Sequence, residues 1–291
     1  MALWWLAIRP RTLSLAAVPV GVGSALAVHQ GAAFDGLAFL VALACALAIQ
    51  AGTNLFNDAG DFLRGNDGPT RLGPLRVTAA GLATAGQVRR AAALCFGLAL
   101  VGGVFLVIHA GWPILAIGLA SLAAGWAYSG GPRPLSHSAW GEVFVMLFFG
   151  LVAVAGSHFL HSGAWLVAAP LLGLLLGTPA AAVLLVNNVR DLEADRLAGR
   201  RTLAAVLGLA RSRRAYALLM LAPFVLLAIV PTAGVHWPAL LPSLLVAPQC
   251  VALARDFQRM PPGTAMNGQL ARTARAQLLL GAALGLGLVL A

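Results

Sequence analysis

The fold class that this sequence predicts is all-α: a polytopic membrane protein with about nine transmembrane helices and a cytoplasmic N-terminus. Three observations carry that expectation. The 291 residues are 60% hydrophobic and only 10% charged, with a mean hydropathy of +0.88, far outside the range of a soluble domain. The apolar residues gather into stretches close to the roughly 20 residues needed to cross a bilayer. The chain has no Lys, and its 19 Arg fall at the N-terminus or in alternate loops, which the positive-inside rule places in the cytoplasm.

In order, the apolar stretches lie near 13–30, 36–57, 87–109, 111–128, 140–160, 165–189, 214–232, 237–255 and 272–291. The opening residues, MALWWLAIRPRT, place Arg9 and Arg11 behind a short Trp-containing patch. No small-residue cleavage site follows, so no removable signal peptide is expected. Loops after the second, fourth, sixth and eighth stretches are long or Arg-bearing, whereas the others are short and nearly uncharged. The C-terminus is therefore expected outside, and residues 1–291 are read as a single transmembrane domain. Cys45, Cys95 and Cys250 sit inside apolar runs with no paired spacing. They read as small buried hydrophobes, not as a disulfide framework or a zinc site.

Chemistry concentrates in two places. From Gln50 to Arg76 an apolar helix runs into Asn54, Asp58, Asp61, Arg64, Asp67, Arg71 and Arg76. If the helix continues through Asp61, an amide and two carboxylates at i, i+4 and i+7 share one face. The sixth stretch closes in the same way, with Asn187, Asn188, Asp191 and Asp195 accompanied by Arg190, Arg196, Arg200 and Arg201. Oxygen faces of this kind suit a hard divalent cation such as Mg2+, which binds through one or two carboxylates together with phosphate oxygens, while Arg neutralises the remaining phosphate charge. Two such faces fit one phosphate-bearing ligand held between them.

The two clusters also mark an internal repeat. Each is followed by a Thr-containing, Ala-rich loop (Thr78 to Ala83; Thr202 to Ala205) and then by an Arg pair, Arg89–Arg90 or Arg213–Arg214, opening the next helix. Four helices per half and a closing ninth bring both clusters to one membrane face. A lone Asp beyond a membrane helix is most often a solvated anchor, but Asn54 and Asn187 lie a turn deeper, where an amide is costly unless it faces the bundle interior. Helix–helix hydrogen bonding is the competing reading of those amides. His158 and His161 read as interfacial, on the outer side away from every acid, and carry no assigned role. Glu142 reads equally as a buried helix partner or a pocket acid, and Trp126 and Tyr128 as belt residues or a cation-stabilising wall.

These placements exclude several classes. A nucleic-acid groove interleaves Arg with aromatic residues on a soluble face, but here the Arg sit at helix ends, so the net charge of +10 is topological and no nucleic-acid partner is expected. A Walker-type phosphate loop requires a Lys. A membrane cation carrier is kept as a second alternative function; it needs polar residues along a path across the bilayer, whereas these acids gather on one side.

The blocks RPRTLSLAAVPV, NLFNDAGDFLRGNDGPTRLGPLR, YSGGPRPLS, GEVFVMLFFGLVAVAGS and NNVRDLEADRLAGRRTLAAVLG, spread over residues 9 to 208, resemble the UbiA superfamily of membrane prenyltransferases. Within it they are similar to the branch acting on 1,4-dihydroxy-2-naphthoate in menaquinone synthesis. That branch is suggested by Asp67 six residues after Asp61 with GPxR following, by GGPRPLS, and by NNxRDxxxDxxxGxRTLA. The resemblance implies transfer of a polyprenyl group from its diphosphate to the naphthoate with loss of CO2. It also implies an active site on the cytoplasmic face of the cell membrane, with 4-hydroxybenzoate the alternative acceptor. Carried over by position, Asn54, Asp58, Asp61, Asp67, Asn187, Asp191 and Asp195 would hold Mg2+ and the diphosphate. Asp58, Asp61, Asp191 and Asp195 would be the catalytic acids, and Arg64, Arg71, Arg133 and Arg201 diphosphate partners. Ala59, Gly60, Tyr128 and Glu142 are the expected acceptor pocket, with room for a bicyclic ring beside the short side chains at 59 and 60. The sequence departs from the family pattern at Ala59, usually aromatic, at His137, commonly Tyr, and at Arg200, usually Lys.

Overall fold

The computed structural model describes residues 2–65, 72–131 and 134–291. Among them, nine helices are long and apolar enough to cross a membrane: α1 (Pro10–His29), α2 (Gly36–Leu63), α3 (Ala85–Ala110), α4 (Trp112–Ser129), α5 (Gly141–Ser162), α6 (Ala168–Arg190), α7 (Leu203–Ala233), α8 (Trp237–Arg259) and α9 (Met266–Leu290). No strand occurs among the described residues. Short helices at Ala2–Ala7 and Leu192–Leu197 flank the first and sixth spans. An unpaired backbone amide is costly in lipid, and helices satisfy each one locally. The chain is a multi-pass membrane protein.

The sixth helix is the axis of the bundle. It packs against α5, α7 and α9, and Leu172, Leu175, Leu176, Leu185, Val186 and Val189 are buried along it. Beside it, α1 lies against α5 and α9, while α2, α3 and α4 pack on one another. The third helix turns Leu94, Leu98, Val101 and Ile108 outward, as a lipid-facing surface requires.

Two backbones meet where α5 crosses α6. The fifth helix is α-helical over Gly141–Met146, carries a π-helical stretch over Leu147–Val152, and returns to α-helix over Ala153–Ser162. A Cβ on Gly150 would overlap the Gly173 carbonyl oxygen, and one on Gly177 would lie 2.6 Å from the Met146 carbonyl oxygen. Lipid gives helices little hydrophobic reason to associate, so close packing through small residues carries the contact. Toward the acidic end of the same seam, Asn188 Nδ2 donates to Glu142 Oε1 at 2.8 Å.

Each expected apolar stretch is present, and three extend at one end by six residues or more beyond what hydropathy alone predicts. The second runs to Leu63 because Asn54, Asp58 and Asp61 all find partners inside the protein. The seventh begins at Leu203 instead of near 214: Thr202 accepts from Ala205 N at 3.4 Å, the chain kinks at Gly208 (φ 73°), and Arg213 Nη2 donates to the Met260 carbonyl at 2.7 Å. The ninth begins at Met266 instead of near 272, its Gln269 and Thr273 both bonded to the Tyr216 hydroxyl. A polar residue ends an apolar run, but a polar residue with a partner does not end a helix. The two Arg pairs are consequently not equivalent, since Arg89–Arg90 lies in the opening turns of α3 and Arg213–Arg214 well inside α7.

The Gly150 contact leaves no room for a side chain. Gly150→Val is expected to lower the melting temperature in detergent, at a cost of about 1–3 kcal/mol for overpacking. Gly97→Val, at a position open to its surroundings, should leave the melting temperature unchanged.

Candidate active site

Gln50, Asn54, Asn57 and Asp61 recur every three or four residues on α2 and line a cavity of about 960 Å3. Asn187, Asn188, Asp191 and Asp195 line it from the sixth helix and the turn beyond. Arg9, Arg76, Arg190 and Arg200 complete the polar end. The remainder is apolar, with Leu100, Val104 and Ile108 of α3, Leu115 and Leu119 of α4, and Phe144 and Phe148 of α5. The five aliphatic residues of α3 and α4 are also surface-exposed. The cavity therefore reaches the lipid-facing surface along α3 and α4.

Asp61 is the most heavily paired carboxylate. Arg76 Nη2 lies 2.5 Å from its Oδ2, and Arg64 Nη2, Arg200 Nη2 and His137 Nε2 lie 3.3, 3.3 and 3.4 Å from its Oδ1. Arg200 also donates from Nη1 to Asp195 Oδ1 at 3.3 Å, so one guanidinium joins the acids of both halves. Arg190, 2% exposed, grips Asp191 with two bonds, Nε to Oδ1 at 2.9 Å and Nη2 to Oδ2 at 2.6 Å. It also donates to Asn187 Oδ1 and Asn267 Oδ1, each at 2.8 Å. Burial pushes the Asp195 carboxyl up to about 6, with Arg200 pulling it down and Asp191 adding to the rise. A bound cation would relieve that cost.

The expected site residues separate into three groups. Asn54, Asp61, Asn187, Asp191, Asp195 and Tyr128 line the cavity. Asp67, Arg71 and Arg133 lie outside the described residues. The others are placed elsewhere. Asp58, 2% exposed, turns away from the cavity, and its carboxylate accepts from Val77 N at 3.1 Å, Thr78 N at 3.2 Å and the Thr78 hydroxyl. Ala59 packs among Leu55, Val77, Val88 and Ala92, so the space expected beside it for an aromatic ring is filled. Gly60 lies under the Arg64 guanidinium, which reaches Asp61 and the Ser129 carbonyl from outside the cavity. Arg201 is exposed, and its backbone N–H donates to the His137 carbonyl at 2.9 Å. Glu142 is buried behind Asn188. His161 is not remote from acid, since Asp35 N lies 3.5 Å from its Nδ1, whereas His158 is buried and pairs through Nε2 with the Gln30 amide oxygen at 2.8 Å.

Asn57, Arg9, Arg76, Arg190 and Arg200 line the cavity although spacing did not single them out as site residues. A signal for two of them exists. Arg76-Val77-Thr78 and Arg200-Arg201-Thr202 repeat an Arg-x-Thr pattern, and in each half the Thr hydroxyl bonds an Asp, Asp58 or Asp195. That anchor turns the preceding Arg into the cavity.

A membrane bundle with Arg-paired acids at one end of an apolar, laterally open cavity defines a class of integral membrane protein suited to an anionic headgroup on a lipid-like tail. The chain belongs to the UbiA prenyltransferase family, whose profile matches residues 16–267. It is 37% identical over 295 residues to the 1,4-dihydroxy-2-naphthoate octaprenyltransferase of Escherichia coli, covering 99% of this chain and 95% of that one. It is 38% identical over 220 residues to the enzyme of the same name from Mycobacterium tuberculosis, covering 74% and 73%. The fold matches a UbiA homolog from Archaeoglobus fulgidus bound to GPP and Mg2+, with a TM-score of 0.68, 16% identity and 99% of each chain covered.

The position of Asp58 generates a test. Asp58→Ala leaves two backbone N–H groups and a hydroxyl without their acceptor, so the melting temperature is expected to fall, at a cost of roughly 1–3 kcal/mol, and the segment over 72–84 should become easier to cleave with protease. A variant with unchanged melting and a raised Mg2+ requirement would instead make Asp58 an ion ligand.

Proposed function

We propose that this protein transfers a polyprenyl group from polyprenyl diphosphate to 1,4-dihydroxy-2-naphthoate with loss of CO2, giving demethylmenaquinol. The observation that carries the proposal is one continuous cavity with an Arg-, Asp- and Asn-lined polar end and an apolar end open to lipid. The headgroup and tail of a prenyl diphosphate need those two surroundings. The names of the curated relatives supply the acceptor.

The donor set at the polar end fits Mg2+. It consists of carboxylate and amide oxygens, and no three His, Cys, Asp or Glu side chains among the described residues converge on one point. An ion here takes one or two carboxylates and completes its shell with amide, water and phosphate oxygens, which is the habit of Mg2+. Asp61, Asp191 and Asp195, with Asn54, Asn57 and Asn187, are the residues proposed to hold it. When bound, Mg2+ neutralises charge on the departing diphosphate.

Around it, Arg9, Arg76, Arg190 and Arg200 bind the diphosphate oxygens, and Arg200 exchanges its carboxylate partners for phosphate. Preorganised positive charge where anionic charge develops is usually the largest single catalytic contribution. Departure of the diphosphate leaves an allylic cation at the start of the apolar region, where Phe144, Phe148 and Tyr128 exclude water. The electron-rich ring attacks that cation. The new C–C bond forms as the carboxyl leaves as CO2, and the tail remains in contact with lipid.

With detergent-solubilised protein, turnover is expected to stop in excess chelator, and Asp191→Asn should lower kcat by about a hundredfold or more while the protein still melts cooperatively. The product mass should equal acceptor plus prenyl group minus the carboxyl. Faster use of 4-hydroxybenzoate, or a product that keeps its carboxylate, would overturn the acceptor.

The Arg distribution supports a cytoplasmic position for the polar end. Cysteines introduced at Ala32 and Gly163 should then react with an impermeant reagent added outside intact cells, and one at Gly199 should not. The reverse pattern would place the chemistry on the outer face.

A further inference from the structure

Among the described amides that line the polar end, Asn188 is bonded to a buried carboxylate. Asn187 has its oxygen occupied by Arg190, and Asn54 donates to the Ile8 carbonyl. Asn188 instead donates Nδ2 to Glu142 Oε1 at 2.8 Å, in a contact where both residues are buried, and it lines the cavity. A carboxylate only accepts hydrogen bonds, so it selects the amide's nitrogen and turns the oxygen the other way. Glu142 is 4% exposed, and its second oxygen has no hydrogen-bond partner. Release of the Asn188 amide would thus leave a whole buried carboxyl unpaired, which strongly disfavours any other rotamer.

We infer that Glu142 acts through Asn188 as a positioning pair, presenting Asn188 Oδ1 to the cavity as a fixed hydrogen-bond acceptor for a ring hydroxyl of the aromatic substrate. The inference rests on the proposed acceptor chemistry. An outward amide oxygen repels diphosphate oxygens, which are acceptors themselves, so it selects a ligand that brings a donor. The wall beside Asn188 is apolar and aromatic, with Phe144, Val145 and Phe148 on α5 and Leu184 a turn back on α6. That wall suits a flat ring better than a hydrated ion. Accepting from the hydroxyl also places electron density on the ring as it attacks, and it orients the carbon that forms the new bond. The arrangement depends on the close crossing of α5 and α6, because Glu142 lies on one helix and Asn188 on the other.

A site built to accept from a substrate hydroxyl discriminates strongly against analogues that lack the donor. The test compares wild type, Glu142→Gln and Asn188→Leu, with steady-state kinetics in each substrate and in Mg2+, and with equilibrium dialysis of 1,4-dihydroxy-2-naphthoate in the absence of diphosphate. Glutamine offers both a donor and an acceptor, so Asn188 is no longer held one way round. Both variants should raise the KM and the dialysis Kd for the naphthoate by about tenfold or more, with the KM for polyprenyl diphosphate and the half-saturating Mg2+ within about twofold. Wild type should use one of the two monomethyl ethers of the diol at least tenfold less well than the diol, and the variants should lose that preference.

A shift in Mg2+ half-saturation with unchanged naphthoate binding would make Asn188 an ion ligand and overturn the inference. A fall in melting temperature and kcat with both KM values unchanged would reduce the pair to a structural hydrogen bond. Should either variant fail to fold, the ethers still decide with wild type alone, since equal use of the diol and both ethers removes the fixed acceptor. If wild type prenylates 4-hydroxybenzoate and not the naphthoate, the acceptor proposed above fails, while the same comparison made with that phenol still tests Asn188.

Discussion

Carboxylates at the ends of two largely apolar helices must be paired, and much of the site's architecture follows from that need. Charge at the edge of a low-dielectric bundle is costly unless matched. Asp61 collects Arg64, Arg76 and Arg200, Asp191 collects Arg190, and Arg200 spans Asp61 and Asp195. The segments that supply Arg76 and Arg200 are held by the acids in turn, through Thr78 on Asp58 and Thr202 on Asp195. Each acidic helix end thus organises the loop that follows it. The two halves are joined by ion pairs, and in the proposed function a polyanion and its cation replace them, so the groups that hold the site together are the ones proposed to hold the substrate.

The apolar part of the cavity answers a different demand. A carbocation survives only where water is kept away, yet its precursor carries a diphosphate that needs dense positive charge. Both conditions are met within one cavity because the polar residues come from helix ends and the apolar ones from helix middles. Because the cavity reaches the exposed faces of α3 and α4, a long tail need not be enclosed.

Much of this was legible from residue order alone. Membrane spans follow from hydropathy, and the two oxygen-rich faces follow from Asn and Asp recurring at helical spacing. Asn54, Asp61, Asn187, Asp191 and Asp195 do line one cavity. Asp58 and Ala59 were less legible because spacing gives a position on the helix but not what the neighbouring loop offers: Val77 and Thr78 draw Asp58 sideways, and Val88 and Ala92 close over Ala59. Arg76 and Arg200 stood in the two clusters, yet nothing in the spacing picked them out over Arg64 and Arg201 as the ones that line the cavity. A loop Arg has no periodicity, and its direction depends on the Thr two residues further on. The early start of α7 was hidden because Arg211, Arg213 and Arg214 interrupt the apolar run without interrupting the helix.

The π-helical stretch over Leu147–Val152 acts as a phase adjustment within α5. A π turn holds about one residue more than an α turn, and each residue advances the helix by about 100°. Were the stretch regular, the Gly150 face could still meet α6, but Glu142 would be rotated about a quarter-turn relative to it, away from Asn188. One extra residue in the middle of the membrane thereby lets a single helix satisfy two unrelated demands, a small-residue seam for packing and a carboxyl that meets Asn188. Relatives that kept the seam and lost the extra residue would have to recruit the orienting carboxyl from another position, so the two features are expected to be gained and lost together.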